Sequence, residues 1–283
     1  MTGLPNVVET APAPDVLRER EAAIAAIAGR WRGIGWELIR ETPTPPALQM
    51  ALDEVLLRRV GAGLRPPTLR FWAWASRAVI IGRFQSLRNE VDLEEARAMG
   101  VQVVRRLSGG GAMFVEPDRA ITYSLYLPEG RLEGVSFVDS YEALDSWVVG
   151  GFRELGVKAS YAPLNDITSP EGKIGGAAQA RRAGGVLHHT TIAYEMSADD
   201  MLRVLRIGRE KLSDKGITSA AKRVSPLRRQ TDLSREAIVE HLIDSFGRRL
   251  GLVEGRLTGE ELAEAERLAA DKFATAAWTH DLP

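Results

Sequence analysis

Arg105-Arg106-Leu107-Ser108-Gly109-Gly110-Gly111-Ala112-Met113-Phe114 sets three consecutive glycines between strand-forming runs, with Val101 to Arg106 on the upstream side. Glycine weakens a sheet, so three in a row call for a compensating interaction. One compensation is close approach of backbone N–H groups to an anion, because glycine lets the chain fold into a concave nest of donors. Arg105 and Arg106 would add charge-assisted donors for phosphate or carboxylate. A flexible hairpin turn is the plain alternative. The segment is not a P-loop, since no Gly-Lys-Ser/Thr follows at the required distance, and it is not a GxGxxG turn.

Upstream of this turn, Pro46 suits the first turn of a helix running to about Val60, with Leu48, Leu52, Val55, Leu56 and Val60 on one side. Thr68 to Trp74 and Ala78 to Gly82 read as strands, and Asp92 to Met99 as a short helix stopped by Gly100. Downstream, Ile121 to Leu127 alternates and ends at Pro128, and Ser136 to Leu155 is a long amphipathic helix. Leu187 to Met196 is strand-like, with Ser197 or Asp199 placed to cap the next helix. A helix from Asp232 to Leu250 is closed by Gly251, and Thr258-Gly259-Glu260-Glu261 has capping-box spacing before a last helix to about Ala277. Grouped strands with intervening helices predict an α+β fold, a mixed β-sheet with packed helices. Residues 1–34 carry Pro5, Pro12 and Pro14 and then an Ala/Glu/Arg-rich run; they read as a mobile or loosely docked N-terminal extension before a domain spanning 35–283.

The chain has 283 residues, 45% of them apolar and 27% charged, which suits a soluble globular enzyme. A net charge of −1 offers no excess of cations, so neither nucleic acid nor an anionic membrane surface is an expected partner. There is no cysteine, which excludes disulfides, zinc–thiolate sites and cysteine nucleophiles. No run approaches the roughly 18 apolar residues of a membrane span, and no secretory signal opens the chain, so a cytoplasmic location is expected.

A second chemical signal is Asn165-Asp166-Ile167 followed by Gly172-Lys173-Ile174-Gly175-Gly176-Ala177-Ala178-Gln179. Small residues around Lys173 leave it open to ligand atoms, and a lysine so placed can neutralise charge developing on a carbonyl or phosphate. Asp166 could help hold Mg²⁺. A solvent-facing lysine and a turn aspartate are the plain alternatives. His188 and His189 are adjacent on a strand, so they point to opposite faces and cannot chelate one metal together. A Ser-His-Asp arrangement has weak support, because no GxSxG nucleophile elbow is present.

Taken together, these segments resemble the lipoate–protein ligase A family. The stretches Ile80 to Gln85, Arg105 to Phe114, Asn165 to Ile167, Gly172 to Gln179, Val186 to Ile192 and Lys211 to Leu227 run in the family's order, and Lys272 to Trp278 resembles its ending. The resemblance implies the catalytic fold of the biotin/lipoate ligases; bacterial ligases of the family often carry a large C-terminal accessory domain, and with the sequence stopping at Pro283 none is expected here. It implies an ATP-dependent ligase that makes lipoyl-AMP from lipoate and MgATP and passes the lipoyl group to a lysine. The acceptors would be lipoyl domains of 2-oxoacid dehydrogenases or the glycine cleavage H protein. A separate accessory ligase subunit, as in bipartite ligases, is a further partner the resemblance allows.

By the same resemblance Lys173 is the catalytic residue. Arg106, Ser108, Gly109, Gly110, Gly111, Ala112, Met113, Phe114, Asn165, Asp166, Gly176, Gln179 and His189 are the substrate- and nucleotide-binding positions. Two departures stand out: Val115-Glu116 occupies the place of the family's His-Asp, and Thr190 that of a glycine after the paired histidines. An octanoyltransferase of the same superfamily is the close alternative; its known branches work through a cysteine thioester, and no cysteine is present here. A non-catalytic relative that binds acyl groups or lipoyl domains is the other.

Overall fold

The computed structural model describes residues 14–40, 42–206 and 224–282. Its centre is an eight-stranded sheet. In spatial order the strands are β11 (Val253–Glu254), β1 (Glu37–Arg40), β2 (Thr68–Trp72), β6 (Ala120–Pro128), β10 (Gly185–Ala193), β9 (Gly172–Arg182), β8 (Asp166–Ser169) and β7 (Ser160–Ala162). β1 runs parallel to both its neighbours, and the remaining pairs are antiparallel. A smaller sheet sets β3 (Ala78–Ile81) between β4 (Gln102–Arg105) and β5 (Met113–Val115). The helices are α1 (Pro14–Gly29), α2 (Pro46–Gly61), α3 (Leu87–Glu90), α4 (Leu93–Ala98), α5 (Phe137–Glu154), α6 (Ala198–Val204), α7 (Arg235–Leu250), α8 (Gly259–Leu268) and α9 (Ala276–Thr279). This is the mixed-sheet α+β architecture expected from the sequence. No described helix is long and apolar enough to cross a membrane.

Strand alternation gives the large sheet two chemically different faces. Leu69 of β2 lies opposite Leu125 of β6, and both belong to the main core with Phe71, Tyr123 and the buried stripe Leu144, Trp147, Val148 and Phe152 of α5. The other face carries a row of polar side chains: Arg70 lies opposite Ser124, Ser124 opposite His189, and His189 opposite Ala178. α2 covers this face with Leu56, Leu57 and Val60.

The chain ends of the helices follow their sequence signals. Ser136 and Ser197 accept from the third residue onward, Asp139 and Asp200. Thr258 and Glu261 form both bonds of the capping box. The single last helix expected to about Ala277 is instead broken by a π-helical turn at Ala269–Phe273, which keeps Phe273 in the core.

Part of the N-terminal stretch also differs from expectation. α1 is held on α5 by Arg20, which pairs with Asp139 and Glu142, and Ile24 and Trp31 are buried in the main core. Ile27 and Ala28 of α1 and Ile34 beyond it pack against the same core. Residues 1–13 lie outside the described residues, as does most of the Lys211 to Leu227 segment.

β9 and β10 are joined by Ala183 and Gly184 alone, at φ 51° and 73°. Positive φ at both positions is what a two-residue turn matching strand twist requires. The end of α2 rests directly on this turn: a Cβ on Gly61 would lie 2.2 Å from the Ala183 carbonyl oxygen. Gly61→Ala should therefore destabilise the fold by about 1–3 kcal/mol, the usual cost of overpacking. Urea denaturation would show a lower midpoint; an unchanged midpoint would mean that helix and hairpin move apart freely.

Candidate active site

The polar face of the large sheet, β5 and α6 enclose a cavity of about 350 Å³. Its floor is small: Gly175, Gly176, Ala177 and Ala178 of β9, with Thr191 and Ala193 of β10. Trp72, Met113, Met196, Met201 and Leu205 supply larger apolar walls. A groove of this kind suits an acyl chain, whose burial is worth about 0.8 kcal/mol per methylene.

Lys173 reaches the cavity from the edge of β9, and its Nζ lies 2.6 Å from Asp166 Oδ1 on β8. Both side chains are a little over one-third exposed, so this ion pair positions the ammonium rather than burying it. Gly176 makes room for it, since a Cβ there would stand 3.0 Å from Lys173 Nζ. Asn165 fixes the approach to β8 by donating from Nδ2 to the Ala177 carbonyl at 2.6 Å. Asp166 is thus engaged with Lys173, and among the described residues no group of three metal-ligating side chains accompanies it.

The two arginines before the glycine turn do different work from that expected. Arg105 points away from the turn and donates to the carbonyls of Gly82, Gln85, Thr279 and Leu282, so it fastens the β3 exit to the C-terminal segment. Trp278 completes that junction by donating to the Arg105 carbonyl at 2.8 Å. Arg106 lines the cavity, yet its guanidinium is spent largely on the turn itself, donating to Gly109 and Gly111 carbonyls and to Ser108 Oγ. Burial pushes its pKa down to about 10, so it remains a cation at neutral pH. Gly82 supports the turn from below, where a Cβ would meet the Gly110 carbonyl oxygen at 2.1 Å. Arg106 therefore shapes the cradle from within.

Of the binding positions expected from sequence, Arg106, Gly111, Ala112, Met113, Phe114, Asn165, Gly176 and His189 border the cavity with Lys173. Ser108, Gly109, Gly110, Asp166 and Gln179 do not border it. Gln179 turns to Ser140 and Arg181 on the α5 side. Ser108 is buried, with Oγ 2.6 Å from His189 Nε2, and His189 Nδ1 lies 2.8 Å from Asp53 Oδ2. The Ser-His-Asp arrangement that lacked a sequence motif is thus assembled from a loop, β10 and α2. Asp53 was missed; its only signal was a carboxylate on the apolar side of the α2 helix.

Asp53 also accepts from Arg70, Ser124 and Tyr126. Glu116, at the position of the family's acid, is buried at the opposite rim, pairs with Arg77 and accepts from the Ser197 N–H. His188 faces the other side of the sheet, 2.9 Å from Asp145.

Burial lowers the His189 pKa below its ordinary 6.5, against the opposing pull of Asp53. For Asp53, burial acts upward, but the hydrogen bond and charge of His189, with Arg70 and Tyr126, hold its carboxyl below the ordinary value. Both folded-state values lie below the unfolded ones, so both groups contribute stability at neutral pH that is lost on acidification. The urea midpoint should fall as pH drops below about 6.5, where unfolded histidine begins to take up protons. His189→Asn should flatten that slope; an undiminished slope would place the titrating group elsewhere.

The model of the lipoyl protein ligase A/B catalytic domain matches residues 45–247. The octanoyltransferase LipM of Brevibacillus brevis is 30% identical over 273 residues, covering 86% of this chain and 98% of its own. Among solved structures, the bi-partite lipoate protein ligase of Thermoplasma acidophilum, described with its E2 lipoyl domain, superposes with a TM-score of 0.78. It is 31% identical, with 88% of this chain and 97% of that chain covered. A T. acidophilum structure described as a putative lipoate protein ligase with bound lipoic acid gives a TM-score of 0.74 at 28% identity, over 88% of this chain and 99% of that chain. The curated relatives correct the expectation of an ATP-dependent ligase, because those that match over nearly their whole length are octanoyltransferases. This chain belongs to the lipoyl protein ligase A/B catalytic-domain family and is an enzyme of the lipoate ligase and transferase superfamily.

Proposed function

We propose that this chain transfers a medium-chain acyl group, octanoyl first among them, from a carrier thioester to the target lysine of a lipoyl domain. The observation that carries this reading is the pairing of an apolar, small-floored groove with the anchored ammonium of Lys173 at its edge. The groove offers hydrocarbon contact to the chain, and the ammonium stands where a carbonyl oxygen would gain negative charge. The octanoyltransferase relatives support the same assignment.

The overall reaction joins the acceptor amine nitrogen to the acyl carbon and breaks the carbon–sulfur bond. The amine gives up a proton and the departing thiolate takes one. Lys173 offsets charge on the carbonyl oxygen as the tetrahedral centre forms, a contribution typically of about 10²–10³ in rate. Asp166 keeps the lysine side chain from swinging into solvent, and Gly176 leaves the approach clear. The acceptors are lipoyl domains of 2-oxoacid dehydrogenases or the glycine cleavage H protein. ATP, Mg²⁺ and a separate accessory subunit have no step in this reaction.

An apo lipoyl domain incubated with this protein and octanoyl carrier protein, without ATP, should gain one octanoyl group by intact-mass spectrometry. Modification that requires free acid and MgATP, and never occurs from the thioester, would sink the transferase reading. Lys173→Ala should slow octanoylation by about 10²-fold or more while the circular dichroism spectrum stays that of the parent protein. Gly176→Ala, which crowds the Lys173 Nζ, should cost between about tenfold and 10²-fold in kcat, as misplacement of a catalytic group by less than an ångström does. Full activity of Lys173→Ala would remove Lys173 from the reaction, whereas full activity of Gly176→Ala would show only that the lysine side chain gives way to the added methyl.

A further inference from the structure

A transferase without cysteine still has a role open for a side chain that holds the acyl group between donor and acceptor. We propose that Ser108, set up by His189 and Asp53, is that nucleophile and carries the acyl group as an oxygen ester; this rests on the transferase reading above.

The geometry is that of an activated hydroxyl. Ser108 Oγ lies 2.6 Å from His189 Nε2, and His189 Nδ1 lies 2.8 Å from Asp53 Oδ2. With Asp53 ionised, Nδ1 carries the ring proton and Nε2 is left as the acceptor for the serine proton, the division of labour found in nucleophile–base–carboxylate triads. Asp53 is itself held by Arg70, Ser124 and Tyr126, so the ring is set on a fixed support. Arg106 adds a feature that a structural hydrogen bond does not need: its Nε, part of a buried cation, donates to the same Oγ at 3.0 Å. A guanidinium beside the oxygen favours the alkoxide as the proton leaves.

Donors for the carbonyl oxygen are also present. Among the described residues, the N–H groups of Gly109, Gly110 and Gly111 make no backbone hydrogen bond, and the turn borders the cavity at Gly111. Other hydroxyls are less suited. Thr122 and Thr191 border the cavity, but among the described residues neither has an imidazole within hydrogen-bond distance, and Thr122 accepts from Trp74 instead. Thr190, beside His188, faces the opposite side of the sheet with Asp145. Ser108 Oγ is buried next to His189 and the glycine turn, so the acyl carbon must enter past His189 and Gly111.

In the first half-reaction His189 Nε2 takes the Ser108 proton as Oγ bonds to the thioester carbon. The carbonyl electron pair moves onto oxygen and returns, the carbon–sulfur bond breaks, and the thiolate leaves with the proton from His189. In the second, the acceptor amine adds to the ester carbon and its proton passes to His189. The carbon–Oγ bond then breaks and Ser108 recovers the proton.

The test is acid-quenched intact-mass and peptide spectrometry of the whole protein after mixing with octanoyl carrier protein and no acceptor. One octanoyl group on the peptide containing Ser108, removed by hydroxylamine and chased onto apo lipoyl domain, is the expected result. Ser108→Ala should lose the adduct and slow transfer by about 10³-fold, and Ser108→Cys should restore a trapped acyl adduct as a thioester. Because the adduct is read on the unaltered protein, misfolding of a variant does not obscure the outcome. Octanoyl transfer with no adduct, and with Ser108→Ala active within about threefold, would overturn this inference and leave the transferase reading standing. Absence of any transfer from the thioester would overturn both.

Discussion

The carboxylate of Asp53 is buried under the large sheet and is met by Arg70, Ser124, Tyr126 and His189. An ionised carboxylate in that position costs several kcal/mol unless its oxygens are fully engaged. Engagement is what ties the elements together. Asp53 comes from α2, Arg70 from β2, Ser124 and Tyr126 from β6, and His189 from β10, and His189 passes the chain of bonds on to Ser108 and the glycine turn. The packing of α2 against the sheet, the order of three central strands and the seat of the turn are therefore coupled. The apolar face of the same strands supplies the bulk of the burial, but hydrophobic contact is not directional. The polar row supplies the register.

Arg105 and Arg106 show how one sequence pair can be divided by strand geometry. Successive residues of a strand face opposite ways, so one guanidinium meets the C-terminal segment and the other meets the turn. Neither cation has a carboxylate within salt-bridge distance among the described residues; both are held by carbonyl oxygens. Carbonyls facing a cation leave the N–H groups of the same peptides directed elsewhere. That is why Arg106, while not itself free for a ligand, produces a turn whose glycine N–H groups are without backbone acceptors among the described residues.

Much of this architecture was legible in the sequence. The apolar side of α2, the stop of β6 at Pro128 and the caps at Ser136, Ser197 and Thr258 are local signals, and each falls where local chemistry puts it. Lys173 and the Gly111 to Phe114 run, which small residues around a charged or strand-forming group make visible in order, all border the cavity. Asp53 was not. Its partner His189 lies 136 residues away, and Ser108 lies 81 residues from His189, so nothing in linear order joins the three. A carboxylate among Leu52, Val55 and Leu56 of a buried helix face was the single hint, since an acid is rarely buried there without partners. The docking of α1 was hidden for a different reason: apolar residues such as Ile24 and Ile27 are spaced too thinly in its alanine-rich run to give a strong periodic signal, and Trp31 lies beyond the helix.

The chain has no cysteine, yet acyl transfer does not depend on sulfur. A thiolate is one way of holding an acyl group, but the need is for a nucleophile, a base and charge compensation at the carbonyl. In the proposed reaction the compensation comes from Lys173 and the glycine N–H groups, and an imidazole with both nitrogens engaged stands in the cavity wall. Family membership does not distinguish ligation from transfer, since the acyl groove and the lysine suit either donor. What separates the two is whether the acyl carbon arrives already activated. A thioester arrives so, and an enzyme that accepts one needs only to exchange the group that departs.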